Sequence, residues 1–219
     1  MTDVKINGIW MTENYIESPS GKKLSQLFKE KNIAIKMASE KSIQRVSDSQ
    51  NSQGIIAIMQ QPKYKELQDI HRYSLYLEDI ADPGNMGTIL RTAAWFGIDS
   101  VFFSSGCVDI FNSKVMRSGM GAHFYFKQLQ SVSPDEILSK CENSHIPIFG
   151  ADIHGESLDK LTIHTENGWI LILGNEAHGI SSSIQQYLTH RIAILGSGSM
   201  ESLNVAVAGG IILQYLTRS

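Results

Sequence analysis

The chain has 219 residues, of which 42% are hydrophobic and 19% charged, and its net charge is −3. This is the composition of a globular protein long enough to bury a core in one or two domains. No run reaches the roughly 18 apolar residues of a membrane-spanning helix, and Met1-Thr2-Asp3-Val4-Lys5 lacks the basic-then-apolar pattern of a secretory signal. The two cysteines, Cys107 and Cys141, have no metal-ligand spacing and fit a reducing, cytoplasmic setting. The net charge hides an asymmetry. Residues 1–65 carry ten basic and six acidic side chains, a net of +4; residues 66–219 carry nine and 16, a net of −7. A basic segment on an acidic body suits contact with a polyanion. A solvated helix bearing Lys22, Lys23, Lys29 and Lys31 explains the same charge count.

Taken in chain order, residues 1–62 read as a small α/β unit. Gly8-Ile9-Trp10-Met11 is strand-like, and residues 22–31 place Leu24, Leu27 and Phe28 at helical spacing. Ile33-Ala34-Ile35 follows as a short strand, residues 40–46 as a helix and residues 54–59 as an apolar strand. The polar, proline-containing Gln61-Pro62-Lys63-Tyr64-Lys65-Glu66 reads as a linker. From residue 70 to 219, strands and helices alternate. Strands are expected at 74–77, 101–103, 124–126, 147–150, 169–173 and 191–195. Asp152-Ile153-His154-Gly155 reads as a loop after the fourth of them. Helices are expected at 88–96, ended by Gly97, at 113–120, from the capping box Ser133-Pro134-Asp135-Glu136, from Ser181 or Ser182 to Leu188, and at 203–216. Alternating βα units imply a parallel sheet with helices on both faces. The last helix is apolar nearly all round, which implies burial in the core or against another subunit.

Three loops mix glycine with polar side chains just after apolar strands, where open parallel sheets bind ligands. The first contains Asn85-Met86-Gly87-Thr88-Ile89-Leu90-Arg91, with Asn85 placed to cap the helix and Arg91 on its first turns. A guanidinium there suits a phosphate or carboxylate. The second is Leu173-Gly174-Asn175-Glu176-Ala177-His178-Gly179, where two glycines admit close backbone approach and Glu176 sits at the rim. The third, Gly198-Ser199-Met200-Glu201-Ser202-Leu203-Asn204, runs into the last helix. Read singly, each loop has an ordinary structural explanation: an N-cap, a tight turn and a flexible connection. The chain has no phosphate-binding Gly-x-x-x-x-Gly-Lys-Ser/Thr pattern, no dinucleotide fingerprint after the first strand of the body, no nucleophile elbow and no metal-ligand set.

In their order and spacing the three loops resemble the motifs of the SpoU (TrmH-like) RNA ribose methyltransferases of the SPOUT superfamily. Asn85, Gly87 and Arg91 match Asn-x-Gly-x-x-x-Arg; Gly174, Glu176 and Gly179 match Gly-x-Glu-x-x-Gly; Ser202-Leu203-Asn204-Val205 matches the third motif. The resemblance spans about residues 72–217, and Ser52-Gln53-Gly54-Ile55-Ile56-Ala57 resembles the closing strand of the substrate-binding domain that precedes this body in several members, here without that domain's opening helix and strand.

The resemblance implies an α/β body with a C-terminal trefoil knot, binding S-adenosylmethionine and pairing as a homodimer. The implied reaction is methyl transfer to a ribose 2′-hydroxyl of ribosomal or transfer RNA, with neither DNA nor a membrane as partner. By position, Leu173, Gly174, Gly179, Ile194, Ser199 and Leu203 are the implied cofactor-binding residues. Arg91, Asn85, Glu176, Ser202 and Asn204 are the implied catalytic residues. Arg91 is expected to orient the hydroxyl, Glu176 to position Arg91 or accept the proton, and Asn85 and Asn204 to orient ribose or phosphate. Base methylation, or RNA binding without catalysis on the same fold, are the alternative readings.

Overall fold

The computed structural model describes residues 5–47, 51–61, 67, 70, 72–161, 168–198 and 201–218. The chain divides into two compact units, residues 3–63 and 64–219. Residues 62–66, most of the expected linker, lie outside the described residues.

In the smaller unit, β1 (Ile6–Met11) lies between β2 (Ile35–Met37), which is parallel to it, and β3 (Ile55–Met59), which is antiparallel. The helices are α1 (Glu13–Glu17), α2 (Pro19–Glu30) and α3 (Glu40–Val46). Ser18 serves two helices: its hydroxyl bonds the Tyr15 carbonyl at the end of α1 and accepts from Gly21 N at the start of α2. Ile9, Met11 and Ile43 form the buried side. The second strand was expected at residues 33–35 and starts instead at Ile35. The cause is the end of α2: Asn32 takes φ +54°, its N–H bonds the Lys29 carbonyl, and Ile33 N–H bonds the Phe28 carbonyl. These two bonds make a Schellman stop that uses Ile33 to close the helix.

Among the described residues, the larger unit holds a six-stranded, all-parallel sheet in the order β6-β5-β4-β8-β7-β9. The strands are β4 (Tyr73–Leu77), β5 (Ser100–Phe103), β6 (Gln128–Ser131), β7 (Ile148–Ser157), β8 (Trp169–Leu173) and β9 (His190–Ala193). The helices are α4 (Pro83–Trp95), α5 (Ser113–Gly119), α6 (Pro134–Ser144), α7 (Ser182–Gln185) and α8 (Val205–Leu216). Two apolar clusters follow from the period-2 alternation of strand side chains. Leu75, Leu77, Leu171 and Leu173 join Ile89 and Leu90 of α4, Val115 of α5 and Leu213 of α8 on one face. Tyr76, Ile170 and Ile172 join Ile137 and Leu138 of α6 and Ile184 of α7 on the other. β8 is buried at all five positions, which explains its unbroken apolar run.

Four expectations are corrected here. Residues 124–126 are not a strand: Met120 (φ +49°) and Gly121 (φ +83°) reverse the chain into a short 3-10 turn, and the strand begins at Gln128. Residues 152–155 are not a loop beyond β7 but part of it, as an excursion: Ala151 and Glu156 both pair with Ile192 of β9. Helix α4 starts at Pro83, five residues before the expected residue 88, because Asp82 caps it and proline suits its first turn. Helix α7 stops at Gln185, short of Leu188.

His123 is wholly buried, with Nε2 2.7 Å from the Ile110 carbonyl oxygen, which fixes the proton on that nitrogen. Nδ1 has no hydrogen-bond partner among the described residues. Burial holds its pKa below the ordinary 6.5. The unfolded chain therefore binds this proton more readily, and the stabilising contribution is complete above pH 6.5 and lost as the pH falls below it. Thermal unfolding is expected to show a melting temperature that drops by a few degrees between about pH 7.5 and 5.5, with a shallower drop in His123→Gln.

Candidate active site

The register of the sheet brings the three glycine-bearing loops to one edge. Leu77 of β4 is level with Phe103 of β5 and Leu173 of β8. Glu78 N donates to the Leu173 carbonyl and Ser104 N to the Leu77 carbonyl, each at 2.9 Å, so the strand ends stay aligned as the loops begin.

From β4 the chain enters α4. Asp82 Oδ1 accepts from Asn85 N at 2.8 Å, and hydrogen bonds from Asn85 and Gly84 and the charge of Lys114 hold its carboxyl below the ordinary range. Asn85 was expected to be the cap; Asp82 takes that role, and Asn85 sits on the first turn with its side chain released for other work. That side chain is the junction of the site. Asn85 Nδ2 donates to Glu176 Oε1 at 3.0 Å, and Asn85 Oδ1 accepts from Asn204 Nδ2 at 2.9 Å. Asn204 Oδ1 in turn accepts from Ala206 N (2.9 Å) and Val207 N (3.3 Å), capping α8. An amide offers a donor to the carboxylate from one atom and an acceptor to another donor from a second atom, while remaining uncharged.

Gly87 lets α4 approach α5: a Cβ there would lie 1.9 Å from Ser118 Oγ and 2.7 Å from the Val115 carbonyl oxygen. Met86, Gly87, Ile89, Leu90 and Ala93 take the buried side of α4, which turns Thr88, Arg91 and Trp95 outward. Arg91 has no hydrogen bond or ion pair with a described residue, so its guanidinium is open to an anionic ligand.

The second loop is a clamped turn. Asn175 and Gly179 exchange backbone hydrogen bonds of 3.0 and 2.9 Å, and a Cβ on buried Gly174 would lie 2.3 Å from the Gly179 carbonyl. Asn175 Oδ1 accepts from Ala177 N and His178 N, and its Nδ2 donates to the Asp79 carbonyl oxygen at 2.9 Å. Buried Glu78 accepts from Ser181 N at 2.9 Å on the other side of the turn. Asn175 and Glu78 were missed as contributors in the sequence. The usable signal for Asn175 was an Asx residue directly after the glycine that ends a buried strand, a strong turn former. Glu78 carries no such mark.

In the third loop, Ile194 packs partly buried against the core, whereas Ser202 and Leu203 are exposed. Ser199 lies outside the described residues. The structure thus joins Asn85, Glu176 and Asn204 directly, and places Leu173, Gly174 and Gly179 in the adjoining strand and turn. No side-chain hydrogen bond to a described residue links Arg91, Ile194, Ser202 or Leu203 to that cluster. Among the described residues no group of His, Cys, Asp and Glu side chains has metal-binding geometry.

The model of the SpoU rRNA Methylase family matches residues 72–214, which contain all three loops. The chain belongs to the SpoU family. A second model, RNA 2′-O ribose methyltransferase substrate binding, matches residues 1–65. Among relatives, the Bacillus subtilis 23S rRNA (guanosine(2553)-2′-O)-methyltransferase RlmP is 30% identical over 191 residues, covering 85% of this chain and 74% of that protein. An uncharacterized tRNA/rRNA methyltransferase of Borreliella burgdorferi is 29% identical, covering 92% of this chain and 95% of its own. A putative RNA methyltransferase of the TrmH family from Porphyromonas gingivalis has a solved structure that superposes with a TM-score of 0.82 at 30% identity, covering 99% of this chain and 84% of that one. The SpoU methyltransferase AviRb of Streptomyces viridochromogenes, solved in complex with the cofactor AdoMet, shares the fold with a TM-score of 0.82 at 20% identity.

This SpoU chain should respond to loss of the Asn204 side chain in two ways. Asn204→Ala removes the cap of α8 and the bond to Asn85, and a loss of about 1–2 kcal/mol is expected in chemical denaturation. Asn204→Asp keeps the cap oxygen while losing the donor to Asn85, and should lose less than half as much.

Proposed function

We propose that the protein transfers a methyl group from S-adenosylmethionine to a ribose 2′-hydroxyl of ribosomal or transfer RNA. The observation that carries this reading is the Asn85 amide bridge, which draws one residue from each family motif to a single junction at the start of α4, the helix that carries the outward-facing Arg91. The names of the relatives support RNA as the methyl acceptor.

The residues present fit the cofactor. Gly179, Gly196 and Gly198 have open space where a side chain would stand, and Leu195 and Leu203 are 71% and 50% exposed beside them in the sequence. Open backbone flanked by bare leucine suits a flat nucleoside, which needs apolar cover and a few backbone hydrogen bonds. Leu173, Gly174, Gly179, Ile194, Ser199 and Leu203 would hold it, and it supplies the electrophilic methyl group.

This chain's own work is orientation and charge. A guanidinium does not deprotonate, so Arg91 orients the hydroxyl and stabilises the negative charge that grows on its oxygen. Asn85 fixes one oxygen of Glu176, and the carboxylate takes the proton as the hydroxyl oxygen gains the methyl. Asn85 and Asn204 hold each other, Glu176 and α8. These bonds support a holding role for both in place of the ribose contact expected for them. Ser202 shapes the rim.

The same reading includes the trefoil knot of the family and pairing of two copies through α8. Val207 and Ile211 of α8 are 52% and 38% exposed, and Trp95 of α4 is 84% exposed, apolar side chains that a second copy would cover. The free thiols of Cys107 and Cys141 fit a cytoplasmic setting. Among the described residues no helix is long and apolar enough to cross a membrane.

Methyl transfer to RNA from cells lacking the protein, followed by nucleoside analysis, tests the reaction; a methyl on a base would overturn the ribose assignment. Arg91→Ala is expected to lower transfer at least about 100-fold, with affinity for S-adenosylmethionine by calorimetry changed less than about threefold. Cofactor and RNA binding without transfer by the wild-type chain would favour a non-catalytic binding protein. In sedimentation velocity the wild type should run as a dimer and Val207→Glu as a monomer, because a charge cannot be buried unpaired in an apolar interface.

A further inference from the structure

We propose that Asn175 is a positioning residue, which sets Glu176 by clamping its turn to the end of β4. The inference rests on the methyl-transfer reading above and adds a residue to it.

Each end of the Asn175 side chain has a separate task. Oδ1 accepts from Ala177 N (2.9 Å) and His178 N (3.2 Å) and so shapes the turn that carries Glu176. Nδ2 reaches out of the turn to the Asp79 carbonyl oxygen at 2.9 Å. Asp79 is itself held in a conformation few side chains adopt, at φ +53°. Its N–H donates to Ser104 Oγ at 2.9 Å, and Ser104 Oγ donates back to Asp79 Oδ1 at 2.6 Å. Gly106 leaves room for that carboxylate: a Cβ there would stand 2.1 Å from Asp79 Oδ1. Hydrogen bonds therefore run from Ser104 beyond β5, through Asp79 beyond β4, to Asn175; the backbone of the turn joins Asn175 to its neighbour Glu176, whose carboxylate bonds Asn85 and through it Asn204. An exposed glutamate on a five-residue turn would otherwise sample many rotamers. The anchor to Asp79 fixes the backbone that carries Glu176, and Asn85 fixes its carboxylate, so Glu176 is held at both ends.

Aspartate at position 175 separates the two tasks. It keeps the acceptor that shapes the turn and loses the donor, setting an oxygen against the Asp79 carbonyl. Single-turnover transfer of tritiated methyl from S-adenosylmethionine to RNA from cells lacking the protein is compared for wild type, Asn175→Asp, Glu176→Gln and the double variant. Asn175→Asp is expected to slow transfer about tenfold in the wild-type background and less than about twofold in the Glu176→Gln background, because a residue acting through Glu176 has nothing further to lose once that carboxylate is gone. An equal slowing in both backgrounds shows a general structural role and overturns the proposal, as does unchanged transfer by Asn175→Asp. No transfer by the wild type overturns the underlying reading itself. If Asn175→Asp does not fold, Ser104→Ala tests the same chain of bonds from its other end, by the same cycle and with the same criterion.

Discussion

Everything at the site depends on the pairing of β4 with β8. The two strands are almost 100 residues apart in the chain, yet they run parallel and in register from Tyr73↔Trp169 to Leu77↔Leu173. Parallel pairing sends both loops out on the same side, and the matched register sends them out at the same height. A slip of one residue would exchange Leu75 and Leu77 with Tyr76 between the two apolar clusters, so burial on both faces fixes the register strongly. The polar junction at the top is thereby positioned by apolar packing beneath it.

Close approach of backbone does the rest. Gly174 lies against Gly179, Gly87 against α5, and Gly209 against Leu173, where a Cβ would stand 2.7 Å from Leu173 Cδ1. Through the last contact α8 lies directly on the end of β8, which brings its capping residue within reach of the first loop. These contacts are van der Waals in nature and tolerate almost no added volume. The flexibility suggested by a glycine-rich sequence is therefore misleading here: two of the motif glycines permit tight packing, and only Gly179 takes a positive φ, +67°.

The sequence disclosed the alternation of strands and helices, the two-sided burial of β8 and the three loops, because each leaves a local mark: an apolar run, a capping residue or a glycine. The Asn85–Glu176–Asn204 junction was legible only as a resemblance, since no local pattern says that residues 91 and 119 positions apart touch. Asp82 was legible and was misread: aspartate followed by proline is a better helix start than asparagine three residues later. The excursion of β7 was not legible at all. Asp152-Ile153-His154-Gly155 has loop composition, and its strand character comes from β9: Gly155 lies against the Arg191 backbone and the Asp152 carboxylate stands 3.6 Å from the Arg191 guanidinium. Tertiary contact overrides local preference there.

The reach of Asn85 to Asn204 also bears on when the protein becomes competent. A ribosome releases the chain from its N-terminal end, a few to a few tens of residues each second. Asn85, Arg91 and Glu176 all emerge before Asn204, and α8 follows it. A nascent chain thus displays Arg91 and Glu176 for a few seconds while the Asn85 amide is tied to Glu176 alone and still lacks Asn204. Pairings between such distant segments also form late and slowly. Helix α8 acts as the latch of the assembly, so a growing chain from which α8 has not yet emerged, on a ribosome itself made largely of RNA, does not hold a finished site.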